Sequence, residues 1–263
     1  MHGLSAHDHG REIDWGKTSH DYAEFRPGPP ASFFTKLSAL GVGLPGQRLL
    51  DLGTGTGALA LQFARQGCSV KGIDISEGQI ATARQLAGAE GLDAEFAVSP
   101  AEELDPHDGP FDIVTAGQCW LYFDKAKVIS RLRGALKPEG LLVTSHLSWL
   151  AREDPIARAS EALVLEHNPD WTAADWSGVV PPKPPWADDL DLRAMFYYDE
   201  AIPLTRDSWR GRFRACRGVG AALSPQEVEA FDDAHDQLLR EVAPEEFTVL
   251  HRIDAHILAF TPA

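Results

Sequence analysis

From Pro30 to about Leu147, short aliphatic runs alternate with longer stretches whose apolar residues recur at helical spacing. That alternation is the pattern of βαβ units on a parallel sheet. The runs predict strands over Arg48–Leu52, Ser69–Ile75, Ala94–Val98, Phe111–Ala116 and Gly140–His146. Helices are predicted over Ala31–Leu40, Gly57–Gln66, Ser76–Ala89 and Asp124–Leu136, the last stopped by Lys137-Pro138-Glu139-Gly140. Beyond Ser148 the pattern changes. Trp149, Trp171, Trp176 and Trp186 fall close together, and Val179 to Pro185 (VVPPKPP) is too proline-rich for a helix interior. The reading there is a helix over Pro155–Glu166, a long loop, and a strand over Ala194–Leu204. A mostly helical stretch, Thr205–Glu241, follows with a break around Gly218–Ala222, and Phe247–Phe260 reads as a last strand. The expected organisation is a disordered lead-in over residues 1–14 and a single α/β domain over 15–263, with its core at about 30–147 and a cap and last strands over 148–263.

Charge narrows the partners. The 263 residues carry 24 Lys and Arg against 39 Asp and Glu, a formal net charge of -15, and such a field repels phosphate backbones and anionic membranes at long range. No nucleic-acid partner is expected. No apolar run approaches the ~20 residues of a membrane span, and Met1–Gly10 lacks the apolar core of a signal peptide. No membrane partner is expected either. Cys68, Cys119 and Cys216 lie far apart without a CxxC pair, so a cytoplasmic chain with reduced thiols is expected, without a zinc site. His7-Asp8-His9 is a metal-like cluster in a segment with no packing to hold it, and no metal is expected.

The strongest chemical signal is Leu49-Leu50-Asp51-Leu52-Gly53-Thr54-Gly55-Thr56-Gly57, a strand running into glycines that open a helix. Glycines there let a ligand approach the main chain beside a helix N-terminus, at the carboxyl edge of the sheet. Gly53, Gly55 and Ala58 also satisfy the dinucleotide fingerprint, so the loop alone does not choose between NAD and S-adenosylmethionine. Asp74, ending the second strand, suits the ribose diol that both ligands share. Asp51 distinguishes them, because a carboxylate at the loop repels a pyrophosphate and suits a ligand bearing an ammonium and a sulfonium.

LLDLGTGTG, GIDIS, Ala101-Glu102-Glu103-Leu104, Phe111-Asp112-Ile113-Val114 and LKPEG, in that order over roughly Tyr22–His146, resemble the motifs of class I S-adenosylmethionine-dependent methyltransferases. The resemblance implies a Rossmann-like, seven-stranded, mostly parallel sheet with helices on both faces and a helical and loop cap from the C-terminal insertions. It implies that Gly53, Gly55 and Gly57, with Thr54 in the same loop, line the methionine moiety. It also implies that Asp74 holds the ribose, Ile75 packs on adenine, Ala101 and Glu102 meet the adenine edge, and Gly117 and Gln118 flank the amino group. Tyr22-Ala-Glu-Phe-Arg26-Pro27 is similar to the lid of the trans-aconitate methyltransferase-like small-molecule branch, where Tyr22 and Arg26 would lie near the methionine carboxylate. The guanidinium fork of Arg26 suits that carboxylate. Gln118-Cys119-Trp120-Leu121-Tyr122-Phe123-Asp124 departs from the branch by placing Leu121 where a histidine is usual.

For the acceptor, Trp120 and Tyr122 are candidates to face the sulfonium by cation–π contact, against the plainer alternative of core packing. His146, ending the fifth strand, is the candidate general base. Five arginines fall within Arg206–Arg217. On a helix Arg210, Arg214 and Arg217 share a face that would clamp an anionic acceptor such as a carboxylate, or would instead pair with the surplus acids. The expected activity is methyl transfer to a small, carboxylate-bearing or otherwise anionic molecule with release of S-adenosylhomocysteine. A protein using the cofactor without methylating, and an NAD-dependent oxidoreductase, are the alternatives.

Overall fold

The computed structural model describes residues 7–8, 11–12, 25 and 28–261. His7–Asp8 and Arg11–Glu12 pair as a short antiparallel ribbon. The remainder of the 1–14 lead-in lies outside the described residues.

Seven strands form one sheet: β1 (Arg48–Leu52), β2 (Ser69–Asp74), β3 (Ala94–Val98), β4 (Phe111–Gly117), β5 (Leu136–Trp149), β6 (Leu190–Thr205) and β7 (Glu246–Phe260). Their order is β3-β2-β1-β4-β5-β7-β6, parallel except for β7, which is antiparallel to both β5 and β6. The helices are α1 (Ala31–Ala39), α2 (Ala58–Arg65), α3 (Glu77–Glu90), α4 (Lys125–Ala135), α5 (Pro155–His167), α6 (Arg206–Arg214) and α7 (Pro225–Val242).

The sheet is covered on both faces, which is why its central strands read as continuous apolar runs rather than alternating ones. Successive side chains feed opposite layers. Leu49, Ile113, Val143 and Ile257 pack with Phe33, Leu37, Phe63 and Ile80 from α1, α2 and α3. Their neighbours Leu50, Val114, Leu142 and Leu258 pack with Val128 and Leu132 of α4. A third apolar layer, Val164, Trp209, Phe213, Phe231, Leu239 and Val249, belongs to the cap of α5, α6 and α7.

Among the predicted boundaries that differ, the start of β5 differs in kind. The predicted stop at Lys137–Gly140 is extended backbone: Leu136 pairs with Phe111 across a register irregularity before the main ladder resumes at Ile113↔Leu141. The long stretch Thr205–Glu241 is two helices, interrupted around Gly218–Ala222 as expected. Each has its own capping box, Thr205 with Ser208 and Ser224 with Glu227, and Pro225 sits where a helix starts without needing its missing N–H.

The cap is tied to the sheet by buried polar groups. One oxygen of Asp154 caps α5 through Ile156 and Ala157 N–H, and the other accepts Leu250 N–H of β7 at 2.9 Å. Inside the cap, Ser160 Oγ accepts from Trp209 Nε1 at 3.0 Å and lies 2.9 Å from His235 Nε2, whose ring is enclosed by Phe213 and Phe231. Among the described residues, no helix is long and apolar enough to cross a membrane.

Burial lowers the pKa of both His235 and His251 from 6.5 to about 4. Between those values the unfolded chain binds protons that the folded rings refuse, so their contribution to stability is full above about pH 6.5 and is lost as pH falls toward 4. Urea denaturation across pH 4–8 is expected to show stability falling on the acid side, by on the order of 3 kcal/mol per ring. His235→Gln is expected to make that dependence shallower.

Candidate active site

The carboxyl ends of β1, β4 and β5 and the segment leading into α1 enclose an open cleft of about 620 Å³. It is lined by Gly28, Pro29 and Phe33 beside α1, by Asp51, Gly53, Thr54 and Thr56 of β1 and its glycine loop, and by Gly117, Gln118, Ser145, His146 and Leu147 of β4, β5 and the loop after β4.

The glycine loop is shaped by close approach. Gly53 has φ +57°, and a Cβ there would lie 2.8 Å from Cys119 Sγ; Gly55 has φ +58°. Only glycine takes both the left-handed backbone and that proximity cheaply. Asp74, at the end of β2, holds the loop shut: one oxygen accepts Gly55 N–H and the other Ser76 N–H, both at 2.9 Å. Burial raises its pKa, and those N–H groups oppose the shift. Each oxygen retains acceptor capacity beyond these bonds. Beside it, Ile75 is 66% and Val98 48% exposed, uncovered aliphatic surface at the sheet edge of the kind that marks a binding groove.

Asp51 is buried beneath the loop. Its oxygens accept from Thr54 Oγ1 at 2.7 Å and Thr115 Oγ1 at 2.6 Å. Burial pushes its pKa up to about 6, the two hydroxyls pull it down, and the charge of Asp74 pushes it up again. Removed from water and held by neutral donors alone in these bonds, this carboxylate is a strong attractor for a cation entering the cleft.

Gln118 has a left-handed backbone, φ +65°, without being glycine. Its N–H bonds Ser145 O at 2.9 Å and its side-chain amide donates to Leu147 O, so it clamps the β4 loop to β5. His146 faces the cleft from β5. It is paired in register with Asp254 of β7, and its Nδ1 lies 3.1 Å from Asp254 Oδ1. The His146 side chain is 36% exposed and that of Asp254 only 2%.

Of the predicted residues, Asp51, Gly53, Thr54, Gly117, Gln118 and His146 line one cleft. Gly55 and Asp74 complete the loop, and Gly57 caps α2 with φ 88°. Ala101 is buried, and Glu102 accepts Asp124 N–H at 2.8 Å, in the adjoining loops. Tyr22 and Arg26 lie outside the described residues.

Trp120 and the arginines follow the plainer of their two readings. Trp120 is a core residue, 2% exposed and packed on Trp186 at 4.7 Å and Phe123 at 5.8 Å; Tyr122 beside it is partly exposed but does not line the cleft. Arg210 bonds Asp232 and, at 3.1 Å, Asp236, while Arg214 bonds Asp232 at 2.8 Å. These forks fasten α6 to α7 inside the cap and do not line the cleft, because α7 carries acids at the matching helical spacing.

Asp254 escaped the sequence reading, as did Thr115. A charge inside the apolar run Ile253-Asp254-Ala255-His256-Ile257 is the signal that marked it, since acids are seldom fully buried without a partner.

A family model described as a methyltransferase domain matches residues 49–140. The chain is 34% identical over 166 residues to a ubiquinone biosynthesis O-methyltransferase of Bradyrhizobium sp., covering 63% of this chain and 62% of that protein. It is 33% identical over 138 residues to the protein of that name from Paramagnetospirillum magneticum, covering 52% of this chain and 55% of the relative. The chain thus spans less than two thirds of the length of these curated relatives. The crystal structure of a SAM-dependent methyltransferase from Thiobacillus denitrificans in complex with S-adenosyl-L-homocysteine shares the fold, with a TM-score of 0.55 at 18% identity over 94% of this chain and 98% of that one.

Gly53→Ala is expected to destabilise the protein by about 2 kcal/mol, roughly 1 from the left-handed backbone and the rest from the crowded Cys119. Adding Cys119→Gly is expected to recover the second part and not the first, as read by thermal denaturation.

Proposed function

We propose that the chain is a class I S-adenosylmethionine-dependent methyltransferase, as its methyltransferase-domain match and its curated relatives support, and that it methylates a hydroxyl oxygen of a small molecule, with His146 as general base. The observation that carries this reading is the imidazole of His146 in the wall of a cleft whose lining includes neither Lys nor Arg among the described residues. A carboxylate acceptor needs no base and favours a cation beside it; a neutral hydroxyl needs the base and no cation. The two curated relatives are O-methyltransferases, which supports the same choice.

The residues present fit the cofactor. The exposed Ile75 and Val98 suit a flat base, Asp74 a diol, and the open loop at Gly53–Gly57 a close main-chain approach. Asp51 suits the cationic amino-acid end. When bound, S-adenosylmethionine supplies a methyl group on a sulfonium, which leaves as neutral sulfur.

The chain's own part is placement and proton removal. Pro29, Phe33 and Leu147 give the cleft apolar lining beside the reacting oxygen. The proton of the acceptor hydroxyl passes to the ring nitrogen of His146 that faces the cleft, as the oxygen develops the charge it needs to attack. Holding oxygen and methyl in line supplies much of the remaining rate.

Asp51 must be ionised to attract the cofactor, and it takes up a proton as pH falls through about 6. The dissociation constant of S-adenosylmethionine, measured calorimetrically, is expected to rise about tenfold per pH unit below that point and to be flat above it. Asp51→Asn is expected to bind more weakly and without that dependence.

The reaction is tested by mass-spectrometric detection of S-adenosylhomocysteine with a panel of catechols, phenols, carboxylates and amines. Release with catechols or phenols is expected, and His146→Gln is expected to lower kcat about 10²- to 10⁴-fold while leaving cofactor affinity within twofold. Release with carboxylates alone, undiminished in His146→Gln, overturns the hydroxyl reading. Cofactor binding with no product from any acceptor favours a non-methylating protein.

A further inference from the structure

We propose, resting on methyl transfer at His146, that Asp254 is the positioning residue of this site: it fixes the tautomer of His146 so that the bare nitrogen faces the cleft, committing the enzyme to neutral hydroxyl acceptors. The argument begins with register. His146 on β5 and Asp254 on β7 are direct partners across an antiparallel ladder, so their side chains leave the same face of the sheet side by side. His146 Nδ1 meets Asp254 Oδ1 at 3.1 Å, and the Asp254 side chain is 2% exposed, leaving little room for water to replace the ring. A buried carboxylate is tolerated when it is paired.

A second histidine competes for the same oxygen and is ruled out by its other bond. His256 Nδ1 lies 3.8 Å from Asp254 Oδ1, but its Nε2 lies 2.8 Å from the carbonyl of Pro181. A carbonyl only accepts, so the hydrogen of this ring is on Nε2, and its buried Nδ1 has no hydrogen-bond partner. The hydrogen that Asp254 accepts is therefore the Nδ1–H of His146. His146 Nε2 is left without a hydrogen on the half-exposed side of the ring.

The balance of the step follows. A bond forms between acceptor oxygen and methyl carbon as the carbon–sulfur bond breaks, its electron pair staying on sulfur. The hydroxyl proton goes to His146 Nε2, and the positive charge arising on the ring is met by the adjacent Asp254 carboxylate, which takes no proton itself. The proton then leaves to solvent from the exposed side of the ring. An acceptor already ionised in water gains nothing from this pair.

Long-range ¹H–¹⁵N spectra of protein labelled with ¹⁵N-histidine read the tautomer without any turnover. In the wild type His146 is expected to carry its proton on Nδ1, and in Asp254→Asn to shift toward Nε2–H. A wild-type ring protonated on Nε2 overturns the proposal, whether or not the variant folds. In turnover, Asp254→Asn is expected to cut kcat with catechol at least about tenfold. With 4-nitrocatechol, already ionised at the assay pH, the loss is expected to stay under about threefold, and in a His146→Gln background Asp254→Asn is expected to cause no further loss. Equal losses for both acceptors, or a further loss in that background, make Asp254 merely structural and overturn the proposal. Failure of every acceptor removes the methyl-transfer reading instead, and the spectra still decide the role of Asp254.

Discussion

Strand β7 enters the sheet between β5 and β6, antiparallel to both, and much of the molecule beyond the glycine loop hangs on that insertion. Its ladder with β5 runs from Leu141↔Ala259 to Trp149↔His251. A slip of one residue would turn every inward side chain outward, so burial of Ile253, Ala255 and Ile257 on one face and Leu258 on the other pins the register. The same register brings Asp254 opposite His146. It also delivers Leu250 N–H to Asp154 at the start of α5 and Val249 to the core of the cap, so that cleft and cap share one scaffold.

The other half of the cleft works by tension rather than by pairing. Asp51 is held in an environment that resists its charge, with Thr54 and Thr115 as its hydrogen-bond donors, and Gln118 adopts a backbone that non-glycine residues avoid. Both features cost stability and sit against the cleft, where such costs are usually functional. The sheet around them is packed tightly enough to hold them: Leu50 and Leu52 beside Asp51, and Val114 and Ala116 beside Thr115, are almost wholly buried.

Within the cap, half-buried charges pair between α6 and α7. Asp232 receives both Arg210 and Arg214, and the neutral His235 lies one turn along the same helix in an aromatic cage. The loop carrying VVPPKPP is fastened by His256 to Pro181 O and by Trp186 to Trp120, so it covers the outer layer of the sheet and removes Trp120 from the acceptor's reach.

What the sequence determined by itself was local. Alternating aliphatic runs and helical periods placed β1 and β3 to the residue, because a strand buried on both faces leaves an unbroken apolar signature. The glycine loop and Asp74 were legible because they sit where a strand ends and the chain must turn, and a turn has its own residue chemistry; the strand carrying His146 runs on to Trp149, past its expected end. Tertiary structure decided what each charge meets. The arginine row read as a clamp or, rather more, as a paired face until α7 brought Asp232 and Asp236 against it, and Trp120 read equally as a pocket or a core residue until Trp186 covered it. Asp254 met His146 only when β7 was threaded beside β5, 108 residues away in sequence. Composition and periodicity report which face a residue turns to; they carry no record of its partner, because that choice is made by packing between elements distant in the chain.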